Sequence, residues 1–260
     1  MNSIFVGTAG WSIPREIADR FPIQGSGLER YASHFPVVEI NSTFHRPHRP
    51  ATWQRWYDSV PEAFRFSVKL PKEITHGRRL VDCSNALGRF IEQVAILREK
   101  LAVLLIQLPP KLEFDAEVAA AFLDEVRAHS GVQLACEPRH RSWFTTEANA
   151  LLEKREVARV AADPAICLEA AVPGGSMHMS YWRLHGSPVI YRSSYSDRIE
   201  QIAHRLRGCA ANGRAVWCIF DNTASSAGGV DGSELMHALY GHSHVGDTEP
   251  RDSLCSENRD

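Results

Sequence analysis

Eight apolar runs of strand length recur along this chain: Ile4–Thr8, Val37–Ser42, Phe64–Leu70, Ala102–Leu108, Gln133–Arg139, Val157–Asp163, Tyr181–His185 and Ala215–Asp221. Most of them end at Pro, Gly or Asn, residues that stop a strand. Helical patterns fill many of the gaps. Asn85–Lys100, Ala116–His129, Glu147–Glu156 and Asp197–Ala211 carry apolar residues at three- and four-residue spacing. Asp115 and Ser196 suit N-caps, and Pro50 suits the first turn of a shorter helix bearing Trp53 and Trp56. Strand alternating with helix eight times in about 240 residues predicts a (β/α)₈ TIM barrel. One unit is defective. Between Asp163 and Tyr181, "PAICLEAAVPGGSMHMS" is too broken by Pro and Gly for a full helix, so the sixth helix is predicted incomplete. With no linker and no internal repeat, residues 1–240 read as one barrel domain. Residues 241–260 turn polar and read as a disordered tail.

Bulk properties remove several function classes. The 260 residues suffice for a sizeable core, and 44% hydrophobic with 23% charged is ordinary for a globular protein. A formal net charge of −2 argues against an extended basic footprint for duplex nucleic acid, and leaves room for a small basic pocket. Apolar runs such as Leu101–Ile106 fall far short of the roughly 20 residues that span a membrane. Met1-Asn2-Ser3-Ile4-Phe5 has no basic region before it, which argues against a secretory signal. Cys83, Cys136, Cys167, Cys209, Cys218 and Cys255 show no C-x-x-C spacing and lie mostly in apolar segments. They read as reduced thiols used as small hydrophobes, and a cytoplasmic protein is expected.

Within such a barrel, helices cover one face of each strand and the other face looks inward, so a period of two sorts the side chains. In "VVEINSTF", Val38 and Ile40 face the helices while Glu39, Asn41 and Thr43 face in. In "FRFSVKLP", Phe64, Phe66 and Val68 point out, leaving Ser67 and Lys69 inward. Glu137 and Arg139 share an inward face, as do Arg183 and His185, while Trp182 and Leu184 go out. Gln107, Asp163 and Asp221 fall at the ends of the fourth, sixth and eighth strands. At least six strands thus deliver a polar group to the C-terminal end, where barrel active sites lie. Isolated buried charges cost several kcal/mol, so these groups are expected to pair with one another or with a ligand. Salt-bridge layers without chemistry also occur in barrels, and Glu39–Lys69 or Glu137–Arg183 could be such pairs.

The stretches "GTAGWS", "VEINSTFHRP", "FRFSVKLPKEITH", "LLIQLPP", "CEPRHRSWF", "YWRLHGSP" and "CIFDNTA" follow one another in this chain. In content and order they resemble the YecE-like family, catalogued as domain of unknown function 72, from about Val6 to Ala224. The resemblance implies a TIM barrel and brings no established reaction. His45 stands where relatives of that family usually have Tyr, and Pro138 where many have a bulky residue. The first matters if that ring stacks on a ligand, because imidazole is a poorer platform and can titrate.

Several chemistries fit poorly. Neither G-x-G-x-x-G nor G-x-x-x-x-G-K-[ST] occurs, which disfavours nicotinamide and P-loop nucleotide sites. The fourth and seventh strands end in "IQLPP" and "RLHGS", without the acids of a barrel-type retaining glycosidase. Glu39, Glu137, Asp163, His185 and Asp221 could ligate a divalent metal, yet Lys69, Arg139 and Arg183 are interleaved with them. No H-E-x-x-H occurs, and His45-x-x-His48 and His242-x-His244 fall in a loop and the tail. No cofactor is therefore predicted, with a divalent metal kept as a lesser alternative.

Positive signals point to an anion. Lys69, Lys72, Arg139 and Arg183 gather at strand ends. His185-Gly186-Ser187 and the small residues of "DNTASSAGGVDGSE" offer backbone amides where barrels often bind phosphate. Trp11, Phe44, Trp143, Tyr191 and Tyr195 sit just beyond strand ends and could stack on a ring. The leading expectation is an enzyme, a phosphoester hydrolase or an isomerase, acting on a phosphorylated small molecule, nucleotide or nucleic-acid end. Glu39 or Glu137 would be the base, and His185 the acid or its partner. Asn41, Phe44, Arg46, Lys69, Lys72, Arg139, Trp143, Arg183, Asp221 and Asn222 would bind substrate. The alternatives are a non-catalytic sensing module using the same pocket and a metal-dependent phosphoesterase.

Overall fold

Parallel strands and the helices between them build a barrel-shaped sheet in the computed structural model, which describes residues 4–241. The strands are β1 (Ile4–Ala9), β2 (Val37–Ile40), β3 (Arg65–Lys69), β4 (Leu101–Gln107), β5 (Gln133–Glu137), β6 (Val157–Arg159), β7 (Ala161–Asp163), β8 (Gly174–Gly175), β9 (Met179–Leu184) and β10 (Ala215–Phe220). Their order is β7-β9-β10-β1-β2-β3-β4-β5-β6-β8. Every neighbouring pair is parallel except β6 with β8.

The simple count of eight does not survive intact. The sixth predicted run breaks at Val160 into β6, which pairs with β5, and β7, which pairs with β9. One covalent stretch thus carries the sheet from one edge to the other and nearly closes it. Val160 donates to Cys136 O at 2.8 Å, and His185 donates to Asp163 O at 2.7 Å, which ties both halves down. The extra piece, β8, lies antiparallel on β6. As expected, the segment after Asp163 forms no full helix; it holds a 3₁₀ turn at Leu168–Ala171 and then β8.

The helices are α1 (Gly27–Ala32), α2 (Pro50–Asp58), α3 (Ser84–Val94), α4 (Ala116–His129), α5 (Thr146–Lys154), α6 (Ile199–Ala211) and α7 (Ala227–Tyr240). Their starts follow local chemistry. Asp115 caps α4 by accepting from the Glu117 and Val118 amides at 3.0 Å, and Pro50 opens α2. Ser196 does not cap α6, because Ser196–Arg198 is a separate 3₁₀ turn. The predicted helix Asn85–Lys100 also ends early, at Val94, and a 3₁₀ segment follows in which Arg98 has a φ of 47°. That turn aims Lys100 inward, where its Nζ donates to Tyr57 O and Val60 O at 2.7 Å each.

Strand parity sorts the core as the alternation predicts. Val38, Ile40, Phe66 and Val68 pack with helix residues such as Tyr31, Trp53 and Leu87 outside the sheet. Trp182 and Leu184 pack against Ile202 and Leu206 of α6. A third cluster draws on strands and the Val160 link, including Val37, Val103, Leu105, Ala135, Tyr181 and Trp217, and fills the barrel interior. Each such side chain contributes about 1.5–3 kcal/mol on burial. Above this apolar plug, toward the C-terminal ends, the same inward rows turn polar. Cys83, Cys136 and Cys218 are buried free thiols, Cys136 and Cys218 within strands; Cys255 and the predicted tail lie outside the described residues, except for Gly241. Among the described residues no helix is long and apolar enough to cross a membrane.

Candidate functional site

The inward row of β9 runs Tyr181, Arg183 and then His185 just past its end, and the polar cluster is built on it. Arg183 is 1% exposed and reaches three carboxylates. Its Nε and Nη2 donate to Glu39 Oε2 at 3.0 Å and Oε1 at 2.6 Å, a bidentate pair. Its Nη1 donates to Glu137 Oε2 at 2.5 Å, and Nη2 also reaches Asp221 Oδ2 at 3.0 Å. Glu39 meets the Tyr181 hydroxyl at 2.9 Å, and that hydroxyl lies 2.8 Å from Ser67 Oγ. Strand register explains the convergence: Glu39 lies opposite Ser67, and Gln107 opposite Glu137.

His185 stands one layer higher, between two acids. Its Nε2 lies 2.7 Å from Glu137 Oε1 and its Nδ1 2.9 Å from Asp221 Oδ2. Burial alone would lower its proton affinity, but Glu137 and Asp221 outweigh that and raise it. Only the imidazolium can donate from both nitrogens at once, so this geometry suits the charged ring. Arg139 Nη2 adds a contact to Glu137 Oε1 at 2.7 Å. Burial pushes the Glu137 carboxyl up, yet Arg183, His185 and Arg139 hold it well below the usual range. Asp221 is lowered in the same way, with Arg183 and His185 overcoming burial.

Lys69 stands apart. It is 9% exposed, with Nζ 4.1 Å above the Phe44 ring, and among the described residues no ion pair or hydrogen bond engages that Nζ. Burial and then the Arg183 charge lower it to about 8. His76 borders the same space. Its ring packs edge-on against Phe44 at 4.9 Å, and burial with the charges of Lys69, Lys72 and Arg139 lowers its proton affinity.

The structure brings Glu39, Lys69, Glu137, Arg139, Arg183, His185 and Asp221 together with Phe44 at the C-terminal mouth. Asn41 follows β2 there, with its buried Oδ1 unpartnered among the described residues. Arg46 and Lys72 are exposed at the rim. Other expectations need correction. Arg183 is spent on carboxylates, so it organises the wall and does not reach outward to clamp an anion. Trp143 is buried and donates to Leu112 O at 3.0 Å, against Phe114, so it is core and not a stacking platform. Asn222 is buried and donates to Ser193 O and Asp231 Oδ2 at 2.9 and 2.6 Å, tying two loops together. Asp163 turns aside to Arg198 and Tyr195, at 2.6 and 2.9 Å. Trp11 packs on Trp56, and Tyr195 is buried; Tyr191 does stay beside His185, ring to ring at 6.0 Å. His45 is exposed, edge-on to Phe44.

The anticipated amide cradles are also occupied. The Gly186 amide donates to Tyr195 Oη at 2.9 Å. Gly229 lies inside α7, where a Cβ would come within 2.6 Å of Pro14, so close packing and not ligand approach requires it. Two cavities of about 640 and 1150 Å³ lie elsewhere, the larger at the N-terminal end beside Phe5, Phe21, Phe35 and Phe64. Among the described residues no group of three or more His, Cys, Asp or Glu is arranged to hold a metal; three of the would-be ligands, Glu39, Glu137 and Asp221, surround the Arg183 guanidinium instead.

Two mouth residues escaped the sequence reading. Tyr181 had a signal, since it shares inward parity with Arg183. His76 had almost none, because it follows β3 in a π-helical turn, Glu73–Gly77, where alternation no longer applies.

The profile of a family described as "Protein of unknown function DUF72" matches residues 5–254. The UPF0759 protein YecE of Escherichia coli is 32% identical over 106 residues, 41% of this chain and 38% of that protein. The UPF0759 protein YunF of Bacillus subtilis is 30% identical over 149 residues, 55% of this chain and 52% of that protein. The alignments thus span only about two fifths to half of those relatives' length. A crystal structure of a DUF72 family protein from Enterococcus faecalis superimposes with a TM-score of 0.76 at 19% identity, covering 99% of this chain and all of that one. Another, from Thermotoga maritima, gives 0.73 at 20% identity, covering 91% and 98%.

Proposed function

This chain belongs to the DUF72 family, and from that premise we propose that its barrel mouth binds a small phosphorylated ligand and acts on it by general acid–base chemistry. The observation that carries this reading is His185, buried between Glu137 and Asp221 and beside Arg139, with its proton affinity raised by the two acids against burial. When His185 gives its proton to a reacting group, solvent or the product returns one, and the two carboxylates favour its recapture. Glu137 is the partner base, with Glu39 one layer deeper holding Arg183 and Tyr181 in place. The anion subsite moves from Arg183 to Lys69, Arg139, His76 and the exposed Lys72. Three carboxylates face Arg183, Arg139, Lys69 and the charged His185, so the cluster carries an excess of positive charge. Such an excess in a slightly acidic protein favours an anion at that place. Phosphoester hydrolysis and isomerisation both use these groups.

The commitment of Glu39, Glu137 and Asp221 to Arg183 favours a second reading, a sensing module whose acids are purely structural. A thermal-shift screen with phosphorylated sugars and nucleotides, each with and without Mn²⁺, Mg²⁺ and Zn²⁺, tests both. Stabilisation by phosphate esters without metal supports the anion site. Stabilisation only with a metal present transfers the reading to a metal-dependent phosphoesterase, and no response to any phosphate ester contradicts the anion site. For any ester that is turned over, His185→Asn is expected to cut turnover by roughly 10²-fold while affinity stays within a few-fold. Unchanged turnover contradicts the acid–base role.

A further inference from the structure

We propose that Lys69 is a covalent nucleophile whose Nζ condenses with the carbonyl group of an aldehyde or ketone bound in the mouth. The inference deepens the anion-site reading, which makes the favoured substrate a phosphorylated carbonyl compound.

The chain has five lysines, and two of them are buried. Lys100 is a structural lysine: two carbonyls accept from it, and it lies over the Tyr57 ring at 4.3 Å. Lys69 is almost as buried, yet no acceptor engages its Nζ among the described residues, although Glu39, Glu137 and Asp221 are near enough to act on it electrostatically. Those acids are held by Arg183 and His185 instead. Its backbone is fixed by Thr43 Oγ1, which donates to Lys69 O at 2.7 Å, and the Phe44 ring covers one side of the ammonium. One step past the last register pair of β2 and β3, Ile40 with Val68, come Asn41 and Lys69 themselves. The buried Asn41 Oδ1, unpartnered among the described residues, is an acceptor that the proposal assigns to a carbinolamine hydroxyl. Burial and the Arg183 charge keep a substantial share of the amine neutral near pH 8, the form that attacks.

The chemistry balances without a further reagent. Neutral Nζ adds to the carbonyl carbon, and a proton passes from nitrogen to the oxygen to give a carbinolamine. Once protonated, the hydroxyl leaves as water, while the nitrogen lone pair closes the C=N bond as an iminium. His185 is a proton source of suitable charge within the mouth.

Trapping tests this directly. The intact protein is treated with glyceraldehyde 3-phosphate and sodium cyanoborohydride at pH 8, and in parallel with uncharged propanal, and the alkylated lysines are mapped by mass spectrometry. Lys69 is expected to be alkylated about tenfold or more faster than exposed Lys72, because burial and the Arg183 charge lower its proton affinity to about 8. Inorganic phosphate should slow the labelling by the phosphorylated aldehyde, and Lys69→Arg, checked by its melting curve, should lose it. Labelling of Lys72, Lys111 or Lys154 ahead of Lys69 in the wild-type protein overturns the proposal. Fast trapping of Lys69 by propanal, with no effect of phosphate, supports the nucleophile and defeats the anion site. Thermal stabilisation by phosphate with Lys69 unlabelled does the reverse.

Discussion

Lys100 and Lys69 stand near opposite ends of adjacent parallel strands, one just before β4 begins and the other where β3 stops. Both are nearly withdrawn from water. At the N-terminal end the ammonium is matched by two carbonyls, and nearby the Tyr31 hydroxyl is likewise placed, taking the Thr8 amide at 2.8 Å and reaching Val37 O at 3.0 Å. At the C-terminal end Arg183 and His185 are matched as completely, but Lys69 is not. A fold that can satisfy a buried lysine at one end leaves one unsatisfied at the other, and stability forgone at a particular place is what the proposed use of the mouth by a ligand or a reaction would require.

The largest expected effect lies within the mouth. Arg183→Ala strands Glu39 without an ion-pair partner and leaves Glu137 to Arg139 and His185, a loss of about 3–5 kcal/mol. The melting temperature should fall by on the order of 10 °C. A fall of only a degree or two means that water or Arg139 replaces the guanidinium, and that the wall is looser than its distances imply.

The two lysines should then respond with opposite signs. Lys100→Met orphans two carbonyls and is expected to destabilise by about 1–3 kcal/mol. Lys69→Met removes a charge whose proton affinity falls from 10.5 to about 8 on folding, so it is expected to stabilise by on the order of 2 kcal/mol near neutral pH. Calorimetry on both variants checks this, and destabilisation by both would break the comparison.

A smaller effect is the pH dependence. His185 is raised in the folded chain, so its contribution is complete below 6.5 and is lost as pH rises through the higher folded value. Glu137 and Asp221 are lowered, so theirs is present above the ordinary carboxylate range and lost as pH falls through the folded values. His185→Asn should remove the loss on the alkaline side and move the acid limb to higher pH, because Glu137 and Asp221 lose one of the groups that hold them low, as read by melting curves from pH 3 to 9.

Much of this was legible in the chain because a parallel barrel buries both faces of its strands and alternation then decides which neighbours a side chain meets. Glu39, Lys69, Glu137, Arg183 and His185 were placed that way, and the long "PAICLEAAVPGGS" gap announced the missing helix. The rule failed where the chain leaves extended geometry. Trp143 and Asn222 lie past strand ends, where a side chain can fold back onto loops, and His76 lies in a helical turn. Nor could alternation foresee the break at Val160, or which carboxylates Arg183 would claim, since both depend on closure of the whole sheet.

Reservation of the mouth for an anion is tested most directly by titrating inorganic phosphate calorimetrically into the wild-type protein, Lys69→Met and Lys100→Met at equal pH. Lys69→Met should bind phosphate at least about tenfold more weakly while melting higher, the loss of roughly one charge-assisted contact. Lys100→Met should bind as the wild type does while melting lower. Equal phosphate affinity in all three proteins, or none in any, would contradict it.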